Sequence, residues 1–460
     1  MMTRRNFLTH SCALGAASAT VSTSLLQLGF ARNAAAQNAS DYKALVCILL
    51  AGGNDSYNMV VPIDDDQYGE YRGIRADLAL EQNVLLALPG TAANGRRYGL
   101  HPGMPELQSL YTSGDAGLIA NVGTLLEAFD AQAVEAGTAR LPLGLFSHSD
   151  QIAQWQTAVP DARIAQGWGG RIADLMQDVN VANGVSMNIS LSGSNVFQSG
   201  NEATEYSVEA DGDGAPGVNA YDDGTEFGDL RKRMVDDLLA VQQQNIFRRE
   251  YSRRLRAAID AHAVFVDALQ TAPVLSTTFS SHYFSRSLRQ VARIISARDA
   301  LGATRQTFFI TVGGWDHHDD VLDNQAAMLP AISRGLREFR DALLELAVFD
   351  DVTTFTISDF GRTLTSNGKG SDHGWGGHHV VMGGQVGGGR IYGDYPLLSA
   401  SSPLDVGRGV YAPTTSVDEY FAELALWFGV ATAELAEILP NVGRFYTPGS
   451  GSPPMGFLLS

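Results

Sequence analysis

Apolar residues in this chain gather in short unbroken runs of strand length. They are "ALVCILL" at 44–50, "GLIANVG" at 117–123, "TFFITVGG" at 307–314, "VTTFTIS" at 352–358 and "HVVMGG" at 379–384. A strand with one wet face alternates apolar and polar positions, and these runs do not. They therefore predict strands buried on both faces, in a sheet that carries helices on each side. Between them apolar positions recur at helical spacing. "MPELQSLYTSG" (104–114) reads as one helix, and "VLDNQAAMLPAISRGLREFRDALLELAVF" (321–349) as a helix or a pair, with Pro330 its start or kink. Strand, helix and strand in succession predict the α/β class with a mostly parallel sheet.

Two stretches depart from this pattern. Residues 201–229 are acidic, rich in glycine and poor in large aliphatics, which predicts a solvated loop. The "DGDG" within it lacks the full spacing of a calcium-binding EF-hand loop. From about 230 to 270 apolar residues at helical spacing alternate with clustered charges, predicting a long amphipathic helix broken once. "GGQVGGGRIYG" at 383–393 precedes strand-like residues instead of a helix, so it reads as a hairpin turn and not as a dinucleotide fingerprint.

The first 36 residues carry Arg4 and Arg5, then Phe7 and Leu8, a weakly apolar stretch, and Ala34-Ala35-Ala36. This is the order of a twin-arginine signal peptide with a small-residue cleavage site, and it predicts a periplasmic or secreted protein. The remaining 37–460 is expected to form one domain, with the acidic loop and the long helix as an insertion. The formal charge is −18, and residues 1–36 hold three arginines and no acid, so what remains is more acidic still. Such a surface repels phosphate backbones and excludes nucleic acid as a natural partner. Past Cys12 the chain has one cysteine, Cys47, inside the first apolar run, so no internal disulfide forms and Cys47 reads as a core residue. No run beyond residue 36 reaches the roughly 18 apolar residues of a membrane span.

Three of the runs end alike. The first passes into Gly52-Gly53-Asn54-Asp55, "VTTFTIS" into Asp359, and "TFFITVGG" into Trp315, Asp316, His317 and His318. Residues just past the carboxyl ends of parallel strands share one edge of a sheet, where α/β proteins place their ligands. Carboxylates converging there repel unless a cation sits among them, so a metal site is expected. "SDHGWGGHH" adds Asp372, His373, His378 and His379. Histidine mixed with carboxylate fits zinc, manganese or iron, and carboxylate alone fits magnesium or calcium, so the divalent ion is left open among these.

"LLAGGNDSYNMVVP", "SHSDQIAQWQ", "GGWDHHDD" and "SDFGRTLTSNGKGSDHGWGGHH" resemble the hallmark segments of the exported bacterial family known as domain of unknown function 1501, a branch of the alkaline-phosphatase-like superfamily with its sulfatases and phosphomutases. The resemblance runs over nearly all of the chain past residue 36. It implies an alkaline-phosphatase-like fold and a metal held by Asp55, Asp316, His318, Asp359 and His373, with His317 the alternative to His318. It implies a nucleophile at the start of a helix, Ser147 or its rival Ser149, with His148 between them as ligand or general acid. Arg362 has two readings: a clamp on a phosphate or sulfate oxygen, or an ion pair with one of the chain's many acids. Many members follow the aspartate of "SDFG" with histidine, where this chain has Phe360, so a one-metal site stands beside the two-metal one. The function implied is hydrolysis of small-molecule phosphate or sulfate esters. The alternative is a non-catalytic periplasmic or cell-surface binding or assembly protein that keeps the fold. Resemblance also implies a second exported protein as partner, while oligomeric state is left open.

Overall fold

The computed structural model describes residues 42–181, 184–212, 217, 221, 224–399 and 401–459. The twin-arginine segment and Cys12 lie outside the described residues, as does part of the acidic stretch.

A nine-stranded sheet runs through the centre. The strand Lys43–Leu50 lies in its middle, flanked in parallel by Arg305–Val312 on one side and Val352–Ser358 on the other. Beyond Arg305–Val312 come the short strands Asn188–Ser190 and Tyr206–Ser207, also parallel. Beyond Val352–Ser358 come Gly377–Met382 and Ala116–Gly123. Gly377–Met382 is antiparallel to both of its neighbours, which makes the sheet mixed but mostly parallel. Ala116–Gly123 then pairs in parallel with Ile391–Tyr392 and Thr415–Ser416.

The unbroken apolar runs have the burial they predict. In the first strand Ala44, Val46, Ile48 and Leu50 enter one core, and Leu45, Cys47 and Leu49 enter another on the opposite face. The first core is closed by the helices Tyr283–Ser296 and Val321–Glu345, through residues such as Leu288, Val291, Leu329 and Phe339. The second is closed by Trp168–Leu175 and Val417–Phe428, through Ile172, Phe421 and Leu424. Successive side chains of a strand point to opposite faces, so both faces must be covered. Among the described residues no helix is long and apolar enough to cross a membrane.

The 321–349 pattern forms one helix, Val321–Glu345, which runs through Pro330, and two other local expectations are revised. Leu329 and Ile332 on either side are buried in the first core, and that packing offsets the missing amide bond. The glycine-rich 383–393 segment is not a hairpin turn, because Gly377–Met382 and Ile391–Tyr392 pair with opposite edges of Ala116–Gly123. The acidic stretch ends earlier than expected: Thr225 caps the Gly228 amide and starts the helix Glu226–Ala240. A second helix, Ile246–Gln270, follows after the expected single break.

Candidate metal centre

The three central strands are parallel neighbours, so their carboxyl ends lie together. Gly52, just past the first, has φ +121°, and a Cβ there would lie 2.5 Å from the Asp316 amide nitrogen. Only glycine lets these two strand ends approach so closely. The Gly52 amide donates to Asp359 Oδ1 at 2.9 Å, so the turn after one strand holds the carboxylate that ends another.

His148 is the first residue of the helix His148–Thr157. Its Nδ1 lies 2.6 Å from Asp359 Oδ2. A carboxylate accepts, so Nδ1 carries the proton and Nε2 presents a lone pair. That Nε2 is buried without a hydrogen-bond partner and stands 3.5 Å from Asp316 Oδ2. His373 comes from the antiparallel pair Arg362–Ser366 and Ser371–His373. Its Nδ1 donates to the Phe146 carbonyl at 2.8 Å, which likewise leaves Nε2 with a lone pair, 3.5 Å from Asp316 Oδ1. Phe146 has φ +75°, a strained conformation for a residue with a side chain, and in it the carbonyl faces His373.

His148, Asp316 and His373 each offer one ligand atom, all within 4.8 Å of one another. His318 adjoins them: its Nε2 is 3.0 Å from Asp316 Oδ1 and 3.0 Å from His373 Nε2, and its Nδ1 is 3.3 Å from Asp372 Oδ1. Each of the three imidazoles thus has Nδ1 against an oxygen and turns Nε2 inward. That is how metal-binding histidines are oriented by the groups behind them. Two imidazole Nε2 atoms facing each other at 3.0 Å, beside an unpartnered third and a carboxylate, form a donor set that fits a divalent cation.

Phe360 follows Asp359 in the chain. Its ring is buried and packs against His148 and His373, with centroids 4.8 Å and 4.6 Å away. The imidazole beside Asp359 comes from His148.

Charge at the site is uneven. Burial would raise the Asp316 carboxyl, but the Arg362 guanidinium outweighs it and holds the group below the ordinary carboxylate range. Asp359 is pushed up by burial, against the Gly52 amide and His148, which lower it. His373 is pushed down by burial, opposed by its bond to the Phe146 carbonyl. A cleft of about 430 Å³ opens beside the cluster, lined in part by Phe146, His318, Asp372, His373 and Arg408.

The other expected residues are placed as follows. Asp55 is not brought to this group: it is fully buried, and its Oδ2 meets Arg75 Nη2 at 2.7 Å and Ser371 Oγ at 2.8 Å. A buried carboxylate needs a countercharge, and Arg75 supplies it. Arg362 is not set as an exposed clamp: it is buried, with Nη1 2.8 Å from Asp316 Oδ1 and Nη2 donating to the Ser371 carbonyl. It fixes the position of the Asp316 carboxylate. Ser147 is the N-cap residue of its helix, but its hydroxyl makes no capping bond and lies 3.2 Å from Ser149 Oγ. His318, not His317, joins the cluster, and His317 is buried. His378 and His379 are core residues, both driven by burial to about 3. Sequence reasoning passed over Phe146 and Arg75, for which position along the chain carries no signal.

The chain is similar to several solved structures at low identity. Ps i-CgsB in complex with k-i-k-neocarrahexaose has a TM-score of 0.34 at 11% identity, over 85% of this chain and 72% of that one. The C-terminal periplasmic domain of EcEptC from Escherichia coli, in complex with Zn, has a TM-score of 0.32 at 10% identity, over 85% and 83%. The PsFucS1 sulfatase from Pseudoalteromonas sp. has a TM-score of 0.32 at 9% identity, over 88% and 72%. No curated protein matches the chain. The profile of the proteins of unknown function DUF1501 matches residues 42–437, and the chain belongs to that family.

Proposed function

We propose that the chain is an exported metal-dependent hydrolase of phosphate or sulfate esters, with one divalent ion held by His148, Asp316 and His373 and adjoined by His318. The observation that carries this reading is the convergence of those three ligand atoms within 4.8 Å beside an open cleft. A bound divalent ion supplies Lewis acidity toward an ester oxygen and lowers the pKa of a hydroxyl or water. Asp359 keeps His148 in the tautomer with a free Nε2, the Phe146 carbonyl does the same for His373, and Arg362 orients Asp316. Ser147, whose hydroxyl is not spent on capping the helix, is the proposed nucleophile, with Ser149 its rival. The ester class and the export route rest on the resemblance of the motif segments and of the Arg4-Arg5 stretch. Asp55 is engaged by Arg75, which supports one ion over two.

A second reading, a binding protein with a closed structural site, draws on Arg362, which already balances the Asp316 charge. Metal analysis of the purified chain, followed by aryl phosphate and sulfate esters with and without chelator, separates the two. The hydrolase reading expects bound metal, chelator-sensitive turnover and its loss in His148→Ala and Ser147→Ala. Absence of turnover of any ester, with a structural metal bound or with none, favours the binding reading, and absence of metal refutes the hydrolase.

A further inference from the structure

The helix Glu226–Ala240 buries only Gly228, and Ile246–Gln270 buries nothing before Ile259. Along the first helix Phe227, Leu230, Met234, Leu238 and, just past its end, Val241 are 66%, 44%, 64%, 65% and 52% exposed. They recur at intervals of three, four, four and three residues, so they form one stripe down one side of the helix. Exposed apolar surface of this extent on an otherwise acidic protein marks a contact face.

The stripe has a symmetry that names its partner. It reads the same in both directions about Met234: Leu230 and Leu238 are equidistant from it, and so are Phe227 and Val241. A second copy of the helix laid antiparallel, with a two-fold axis at Met234, sets Leu230 against Leu238 and Phe227 against Val241 of the other chain. The charges fit the same operation. Arg233 and Asp237 are both exposed and, four residues apart, share one flank of the stripe. The two-fold axis brings each Arg233 beside Asp237 of the second copy, making two ion pairs at the rim. An anionic lipid surface is a poorer match, because Glu226 and Asp237 border the stripe along with the arginines.

We infer that this stripe is a self-complementary interface through which two copies of the chain associate about a two-fold axis at Met234. Sedimentation velocity on the full-length protein over a micromolar concentration range tests it. The parent chain is expected to sediment with the mass of two chains, and Met234→Glu, which places two carboxylates on the axis, with the mass of one. Arg233→Asp and Asp237→Arg alone each replace two attractions with two repulsions and raise the dimer dissociation constant by about tenfold or more. Combining them restores complementarity and returns the constant to near the parent value. Circular dichroism confirms that each variant is folded, and the paired charge swap carries the test if Met234→Glu is not. A one-chain mass at every concentration, with or without binding to anionic vesicles, overturns the inference. So does a two-chain mass untouched by Met234→Glu in a folded variant, or charge swaps that show no mutual rescue.

Discussion

Replacing Gly52 with alanine puts a methyl group where two strand ends meet. The added Cβ would stand 2.5 Å from the Asp316 amide nitrogen and 2.9 Å from Trp315 backbone atoms, closer than real Cβ contacts come. The backbone at φ +121° adds conformational strain of about 1–3 kcal/mol. Forcing the neighbouring backbone aside adds about 1–3 kcal/mol more. Gly90 separates the two terms: at φ +76° it has nothing within 4 Å, so Gly90→Ala incurs the strain alone. Gly52→Ala is therefore expected to lose about 2–6 kcal/mol in denaturant unfolding, and clearly more than Gly90→Ala. The damage also reaches the site, because the Gly52 amide holds Asp359 and the colliding atoms carry Asp316. Zinc or manganese titration by calorimetry should then show weaker binding in Gly52→Ala and parental binding in Gly90→Ala. If the two variants are equally mild and bind metal alike, the account of a site assembled by close approach at Gly52 is wrong.

Asp359→Asn removes the carboxylate behind His148, and metal affinity measured by the same titration should fall about 10–100-fold with the fold intact. Arg75→Met leaves the Asp55 carboxylate buried without its countercharge and should cost about 3–5 kcal/mol in urea unfolding, part of which Asp55→Asn in the same chain recovers. Asp418, lifted by burial to about 7, keeps a proton in the folded chain that the unfolded chain releases near 3.9. Stability it contributes is thus present below about pH 4 and lost as pH rises to about 7, so Asp418→Asn should match the parent at pH 3 and exceed it by up to about 4 kcal/mol at pH 8.

Much of the sheet was legible because a strand covered on both faces carries no charged residue and shows no regular apolar–polar alternation, and "VTTFTIS", with its buried threonines, coincides with the strand Val352–Ser358. Strand direction was less visible: the run at 379–384 looks like its parallel neighbours, and only its partners make Gly377–Met382 antiparallel. The sequence pointed to Asp316, His318, Asp359 and His373 because each follows a strand or lies in a histidine-rich stretch, and the structure places them near one another, with Asp359 behind His148. His148 was visible as a histidine between serines, but its bond to Asp359 depends on a helix entering from far along the chain. Asp55 misled for the opposite reason. It has the right position after a strand, and its fate is decided by Arg75 on a helix whose packing no local pattern reveals.

The ligand atoms of His148, Asp316 and His373 belong to a helix start, a strand exit and a short antiparallel pair that are remote in the chain. An ion gripping all three would act as a knot across long stretches of polypeptide, tying ends that chain entropy pulls apart. Affinity for that ion would then appear late, once the sheet has found its register, and no proteolytic fragment lacking one of the three segments would inherit it.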